Sequence, residues 1–182
     1  MMQLMLMPVE TSEEDGTIRA AIDGDRTAFG ELYVRYARMV HAILLAHVPA
    51  GDAEDLVQDV FMAAMRQLRG LRTTAAFRGW LGAIARNRAI DYHREWRERV
   101  PLEEVPPARG AGADTSQDSF LVMSAIRALP EAYRETLIMR LVEGMTGPEI
   151  ADRTGLTPES VRVKLCRGMK MLRELLGGKE VE

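Results

Sequence analysis

Two helix-start signals, at Thr146 and Thr157, stand on either side of a glycine near the C-terminus. Thr146 and Glu149 form a T-x-x-E capping box, which satisfies the free backbone N–H groups at the start of a helix. Thr157 caps a second helix that has Pro158 at its first position. Gly155 permits the positive φ of a tight turn between the two helices. This arrangement predicts a helix-turn-helix.

Small and apolar residues occupy the positions that two crossing helices need. Ile150 and Ala151 face inward on the first helix, and the small alanine allows the second helix to approach closely. Leu156 fills the core from the turn, while Val161 and Leu165 anchor the second helix. These residues support the helix-turn-helix prediction.

The second helix of this motif carries a concentrated positive charge. From Thr157 to Arg173 there are five cations and one anion. Such density suits phosphate neutralisation, and the first two turns would present side chains to base edges in the major groove. The alternative is a solvated basic face on a helix that only packs. The residues that point away from the anchors are Ser160, Arg162, Val163, Lys164, Arg167 and Lys170.

The rest of the chain has the same helical character, so we expect an all-α fold. Apolar residues recur at spacings of three and four in each predicted helix. We expect Asp52 to cap the second of these helices, Gly70 to end it, and Pro130 to be the first residue of a later one. The predicted buried stripes are Phe29, Leu32, Tyr33, Tyr36, Val40, Ile43, Leu44 and His47; Ala53, Leu56, Val57, Val60, Phe61, Ala64 and Leu68; Phe77, Trp80, Leu81, Ile84 and Ala85; Val122, Ile126 and Leu129; and Tyr133, Leu137, Ile138, Leu141 and Val142.

Residues 100–118 have the composition of a flexible linker. They contain three prolines and two glycines and show no apolar period. We therefore expect two small helical domains, at 10–99 and 119–177. A flexible linker of this length averages roughly 25 Å and extends to at most about 65 Å, so the domains can reach distant sites on one partner.

Charge is divided unevenly along the chain. The net charge is -3, but residues 1–60 carry 4 basic and 11 acidic side chains, whereas residues 61–100 carry 9 basic and 3 acidic ones. This division predicts that different surfaces meet different partners. The apolar opening, MMQLMLMP, lacks the cationic start of a signal peptide, and we expect a disordered tail or a misplaced start codon there. No stretch approaches the ~18 apolar residues of a membrane span.

The pattern of chemically reactive residues argues against an enzyme. His41, His47 and His93 are isolated, with no metal-ligand spacing. Cys166 is the only cysteine, which excludes an internal disulfide and a cysteine-based zinc site. The GGK at 177–179 lacks the other residues of a phosphate-binding loop. We expect no catalysis, no metal, no cofactor and no small-molecule substrate.

Four blocks of the sequence, taken in order, resemble the extracytoplasmic-function (ECF) sigma factors, the compact two-domain members of the sigma-70 family of bacterial RNA polymerase. The resemblance covers roughly residues 20–176. It implies a dissociable subunit that brings core polymerase to a promoter with -10 and -35 elements. The blocks are DRTAFGELYVRY, AEDLVQDVFMAAMRQL, FRGWLGAIARNRAIDYHR and LPEAYRETLIMRLVEGMTGPEIADRTGLTPESVRVKLCRG.

The resemblance assigns a role to each block. The second block implies docking on the clamp coiled coil of polymerase, and the third, with the loop before it, implies melting and reading of the -10 element. The helix-turn-helix resembles the -35 reader, and the implied -35 residues are the outward-facing ones named above together with Cys166. Val163 and Cys166 stand where family members often carry Ser and an aromatic or His. The implied polymerase-binding residues are Asp55, Gln58, Asp59 and Met62, and the implied -10 residues are Thr73, Thr74, Arg86, Asn87, Arg88, Arg94, Trp96 and Arg97.

The resemblance also implies partners and a location. The partners are core RNA polymerase, through its beta-prime clamp and beta flap, promoter DNA and an anti-sigma factor. The implied location is the cytoplasm, with attachment to the membrane only through the anti-sigma factor. Two alternatives remain: an autonomous helix-turn-helix regulator, which leaves the arginine-rich third helix without a role, and a sigma-like decoy that titrates an anti-sigma factor, which has no need of DNA-facing cations.

Overall fold

The computed structural model describes residues 9–99 and 117–177. The Met-rich leader and nearly all of the predicted linker lie outside these residues. Within them the secondary structure consists of eight α-helices and two short 3₁₀ helices, and no strand occurs in this part of the chain. The prediction of an all-α fold is confirmed.

The N-terminal domain is formed by four helices. They are α1 (Val9–Ile22), α2 (Arg26–Leu45), α3 (Ala50–Gln67) and α4 (Phe77–Arg99), with 3₁₀ turns at Leu68–Gly70 and Thr74–Ala76 between the last two. The sequence did not predict α1, because its polar segment buries little more than Ile18 and Ala21 and so lacks an apolar stripe.

The starts of α2 and α3 differ in their chemistry. Asp25 caps α2, and its carboxylate accepts hydrogen bonds from the backbone N–H groups of Thr27 at 2.8 Å and Ala28 at 3.2 Å. The predicted cap at Asp52 is wrong, since α3 begins at Ala50 and Asp52 lies in its first turn. There Asp52 accepts a hydrogen bond from the Tyr92 hydroxyl at 2.7 Å, and its charge favours the helix N-terminus. Likewise α3 ends at Gln67 and not at Gly70, because the chain tightens into a 3₁₀ turn.

The core of this domain follows the predicted stripes, with two corrections. All seven predicted residues of α3 are buried. Tyr33 is wrong, because it is 39% exposed and covers the edge of the Phe61 ring. The stripe of α4 also continues beyond Ala85, since Ala89 lies one turn later and is only 2% exposed. Small residues therefore keep α4 close to the core up to the middle of its length.

The C-terminal domain contains the other four helices. They are α5 (Gln117–Ala128), α6 (Glu131–Leu141), α7 (Gly147–Thr154) and α8 (Pro158–Gly177). Thus α5 begins inside the predicted linker, and Pro130 is the N-cap of α6 instead of its first residue. Two predicted core residues, Val122 and Leu141, are exposed: Val122 is the first residue of its stripe, and Leu141 is the last residue of α6.

The capping box of α7 is present as predicted. The Glu149 carboxylate accepts a hydrogen bond from the Thr146 backbone N–H at 2.6 Å, while the Thr146 hydroxyl accepts one from the Glu149 N–H at 3.5 Å. Two hydrogen bonds donated to this carboxylate lower the pKa of Glu149: the one from the Thr146 backbone N–H first, and then one from the Thr146 hydroxyl at 2.7 Å. The contribution of this carboxylate to stability is therefore present above its unfolded-state pKa and is lost as the pH falls through the lowered value.

Thr146→Ala is expected to destabilise α7 by about 1 kcal/mol, because it leaves an N-terminal N–H group without its side-chain acceptor. Hydrogen exchange of the α7 amides measures the change as a roughly fivefold loss of protection. Thr27→Ala is the matched control, since only the backbone of Thr27, and not its hydroxyl, takes part in capping α2. Equal protection of α7 in both variants would contradict the prediction.

Candidate nucleic-acid and polymerase interfaces

The helix-turn-helix is built from α7 and α8. Gly155 joins them with φ of +68°, in the left-handed region that favours glycine. The Thr157 hydroxyl accepts a hydrogen bond from the Ser160 backbone N–H at 3.2 Å and so caps α8. Ile150 and Val161 are fully buried and pack with Met139, Met145 and Ala151 in a small apolar cluster. The predicted turn and anchors are confirmed.

The outer face of α8 presents cations that lack internal partners. Within residues 9–99 and 117–177, no ion pair involves Arg162, Lys164 or Arg167. Lys170 lies 3.9 Å from Glu174 on the same helix, and both side chains are largely exposed. The Ser160 hydroxyl is within hydrogen-bonding distance, 2.9 Å, of the Thr157 hydroxyl. The exposed members of the predicted set are Arg162, Val163, Cys166, Arg167 and Lys170, with Ser160 and Lys164 half-buried.

The basic side chains of α4 are engaged inside the protein to a much greater degree. Arg88 contacts both Asp59 at 3.0 Å and Glu95 at 3.2 Å, and Arg94 lies 3.0 Å from Asp91. Arg86 is only 11% exposed and forms an ion pair with Glu143 of the C-terminal domain. The predicted -10 residues are thus spread along α4 and the loop before it. Asn87 and Thr73 are exposed, Thr74 and Trp96 are half-buried, and the side chain of Arg97 lies outside the described part.

The loop before α4 borders a cavity of about 630 Å³. Thr74 and Ala75 of the second 3₁₀ turn form one side, and α1 and α2 form the others. Because α1 was not predicted, its contribution to this cavity was missed. The Tyr36 hydroxyl donates a hydrogen bond to Glu14 inside it. The lining residues are Glu14, Asp15, Ile18, Arg35, Tyr36, Met39, Thr74, Ala75 and Arg78.

The outer face of α3 combines acidic and apolar side chains. Asp55, Gln58, Asp59 and Met62 are all exposed, as the resemblance implies for a docking surface. Asp59 is shared with Arg88 and is therefore less free than Asp55.

An apolar strip beside this acidic face was missed by sequence reasoning. Met65, one turn after Met62, is exposed, and so is Tyr33 of α2, which packs against Phe61 with ring centroids 4.6 Å apart. Val34 is 78% exposed. The signal was present in the sequence, since Val34 is an apolar residue that does not fit the predicted buried stripe.

These features define an all-α DNA-binding protein with a separate helical domain in front of its helix-turn-helix. Residues 32–99 match the family model of sigma-70 region 2, and residues 119–172 match that of sigma-70 region 4. The chain is 33% identical over 166 residues to the RNA polymerase sigma factor CarQ of Myxococcus xanthus, a match that covers 88% of this chain and 95% of the relative. It is 31% identical over 165 residues to the ECF RNA polymerase sigma-E factor of Escherichia coli K12, with 82% and 86% covered.

The chain therefore belongs to the ECF sigma factors of the sigma-70 family. It is an alternative sigma factor, which acts with core RNA polymerase in promoter-specific initiation of transcription. A free-standing helix-turn-helix regulator has no need of the region 2 domain. Sigma factors are not enzymes, so the family gives these residues a binding role and no catalytic one.

Solved structures support the same assignment. The chain is similar to CnrH, which was solved in complex with the cytosolic domain of CnrY, with a TM-score of 0.66 and 26% identity over 91% of this chain and 97% of that one. The sigma factor RpoE of Bartonella quintana, solved with the anti-sigma factor NepR, shares the fold with a TM-score of 0.62 and 21% identity over 82% of this chain and 96% of that one.

Proposed function

We propose that the two domains of this sigma factor divide the work of initiation. The N-terminal domain, at 10–99, binds core polymerase and opens the -10 element, and the C-terminal domain, at 119–177, anchors the complex on the -35 element. The observation that supports this division is the contrast between two outer faces: α3 is acidic and apolar, whereas α8 is basic. Faces of such different character suit different partners.

The face of α3 is proposed to dock on the beta-prime clamp. Asp55, Gln58 and Asp59 offer acceptors for a basic polymerase surface, while Met62 adds apolar area. The strip of Tyr33, Val34 and Met65 extends that area. Apolar contact then supplies binding energy and the carboxylates orient the encounter. The C-terminal domain is proposed to contact the beta flap of the polymerase.

The -10 element is proposed to bind along α4 and the loop before it. Asn87 is exposed and has the donor and acceptor groups that read a base edge. Trp96 offers a stacking surface for an unpaired base. Thr74 lines the cavity and Thr73 precedes it in the same loop, so a flipped base could be held there. Arg88 and Arg94 are proposed to meet phosphates once the carboxylates beside them give way, and Arg97 belongs to the same proposed set.

The -35 element is proposed to bind the outer face of α8 in the major groove. Arg162 and Arg167 are both exposed, about 7.5 Å apart along the axis of α8, and have the fork geometry that suits guanine or phosphate. Val163 and Cys166 add small apolar contacts between them, of the kind that suits a thymine methyl group. Ser160, Lys164 and Lys170 complete the contact set.

Regulation by an anti-sigma factor is proposed for the same surfaces. The structural neighbour RpoE was solved with an anti-sigma factor, and a partner of this kind would compete with polymerase and DNA. We place the chain in the cytoplasm, with attachment to the membrane only through such a partner. No helix in the described ranges has the length and apolar character needed to cross a membrane.

Arg162→Ala tests the division of labour. We expect weaker use of the -35 element by about 1–3 kcal/mol if Arg162 contacts a base, and an unchanged affinity for core polymerase. Promoter binding by the holoenzyme and core binding by the free chain are measured separately. Arg173→Ala is the control, because it removes the same charge from an exposed position farther along α8.

The outcomes also distinguish an active sigma factor from a sigma-like decoy. An equal loss of promoter and core binding in the Arg162 variant would contradict the division of labour. A chain that binds an anti-sigma factor but never supports a promoter-dependent transcript would be a decoy.

A further inference from the structure

The two domains contact each other through basic side chains. Arg78 of α4 donates a hydrogen bond to the Val142 carbonyl at 2.9 Å, and Arg153 of α7 donates one to the Gly79 carbonyl at 2.7 Å. Further contacts join Arg86 to Glu143, Arg127 to the Val48 carbonyl, and His47 to Glu135 at 3.1 Å. The buried apolar cluster is continuous across the same boundary, with Ile126, Leu129, Leu137 and Ile138 joined to the core of the N-terminal domain.

Glu143 is the most enclosed charged group at this boundary. It lies in the turn between α6 and α7, and its side chain is fully buried. One carboxylate oxygen pairs with Arg86, whereas the other has no hydrogen-bond partner among the described residues. A buried carboxylate of this kind is costly unless it is well compensated. Burial raises the pKa of Glu143, although Arg86 and Arg153 act in the opposite direction.

Gly82 of α4 makes room for this carboxylate. A Cβ atom at position 82 would lie 2.3 Å from Oε2 of Glu143 and 2.7 Å from its Cδ. Both distances are far below a van der Waals contact, so the buried Glu143 side chain would have to leave its observed position. The absence of a side chain at Gly82 is therefore what allows the α6–α7 turn to approach α4 in this register.

The contact selects one arrangement of the domains more than it adds stability. A buried ion pair gains little over its desolvation cost. In any other closed arrangement of the domains, however, Arg86 and Glu143 would be apart and a buried charge would be left uncompensated. Arg86 and Glu143 form their ion pair with the turn lying over Gly82. The closed arrangement is thus specific, and it engages two arginines of α4, Arg78 and Arg86, whereas none of the ion pairs among the described residues involves Arg162, Lys164 or Arg167 of α8.

We propose that the insertion of Glu143 between Gly82 and Arg86 holds the free chain closed, and that this closed arrangement withholds Arg86 from promoter DNA. The first half concerns conformation alone. The second half rests on the proposed function, since it takes α4 to be the -10 element. The domains must separate before Arg86 reaches a phosphate, so the closed chain favours -35 contact over -10 contact.

Gly82→Ala in the full-length chain is the test of the first half. Alanine is a better helix former than glycine, so α4 itself is not weakened, but the added methyl group displaces the Glu143 carboxylate. We expect a larger radius of gyration in small-angle X-ray scattering. Gly30→Ala in α2 is the matched control, because a Cβ there meets nothing within 4 Å, and its radius should equal that of the original chain.

A second variant links the effect to the carboxylate. Glu143→Ala removes the group that the methyl would displace and leaves Arg86 unpaired, so this variant should open the chain as well. Adding Gly82→Ala to it should then change the radius little, since the two substitutions act on one contact. An unchanged radius in both single variants, or fully additive increases, would overturn the proposed closure.

The second half is tested with a short labelled oligothymidylate and the free chain. Opening should raise the affinity of the Gly82→Ala variant for this single strand by roughly tenfold if the original chain is closed nine-tenths of the time. An open variant with unchanged affinity would overturn the withholding of Arg86. Because the scattering measurement uses neither DNA nor polymerase, failure of closure and failure of the proposed function give different results.

Discussion

Ile150→Asp is expected to unfold the helix-turn-helix and to abolish transcription that depends on a -35 element. Ile150 is fully buried, in a cluster with Met139, Met145, Ala151 and Val161. An unpaired carboxylate in such a place costs several kcal/mol, and a domain of this size has about 3–5 kcal/mol to lose. The introduced charge therefore outweighs the stability of the motif.

Hydrogen exchange in α8 and run-off transcription measure this effect. The helices α1 to α4 should keep most of their protection, because the small cluster around Ile150 is built from residues between Met139 and Val161. Pro148→Asp introduces the same side chain at an exposed position in the first turn of α7, where a negative charge is favourable, and should leave α8 folded. Full protection of α8 in the Ile150 variant would show that the motif is not held together by this cluster.

Asp55→Arg is expected to weaken binding to core RNA polymerase by roughly tenfold or more, which is about 1.4 kcal/mol. Asp55 is exposed on the outer face of α3 and is not shared with Arg88 as Asp59 is. Reversing its charge replaces attraction to a basic surface with repulsion, which lowers the rate of association and raises the rate of dissociation. The fold should be unaffected, since the side chain contributes nothing to the core.

The affinity for purified core enzyme, measured at two salt concentrations, tests this prediction. The difference between the variant and the original chain should shrink as salt rises, because exposed charges are screened. Asp23→Arg makes the same charge change at an exposed residue between α1 and α2 and serves as the control. Equal affinities for both variants would remove Asp55 from the docking surface.

Local chemistry explains why much of the fold was predictable. The cap at Thr146, the positive φ at Gly155 and the apolar stripe of α3 each depend on residues a few positions apart, which a sequence displays directly. Helix α1 lacks such a signal, because tertiary contacts around Ile18 and Ala21 stabilise a polar segment. The exposure of Tyr33 depends likewise on how α2 packs against Phe61.

The predicted site shows the same limit. The cations of α8 could be placed on an outer face from helical periodicity alone, and they lie there. The sequence could also place Arg86 on a basic helix, but it could not show that Glu143, in another domain, would pair with it. Gly82 gave no signal at all, since its role depends on the approach of a distant turn. Contacts between domains follow from packing, which no local pattern encodes.

Run-off transcription with purified core RNA polymerase on genomic fragments tests the central claim most directly. With the chain added, free of any inhibitor, we expect transcripts from a small set of promoters that core enzyme alone does not use. The Ile150→Asp variant should lose these transcripts through loss of -35 binding. The Asp55→Arg variant should give fewer of them at limiting concentration, through weaker polymerase binding. Absence of any promoter-dependent transcript, with the chain folded and bound to core enzyme, would contradict the assignment of this protein as a promoter-specificity subunit.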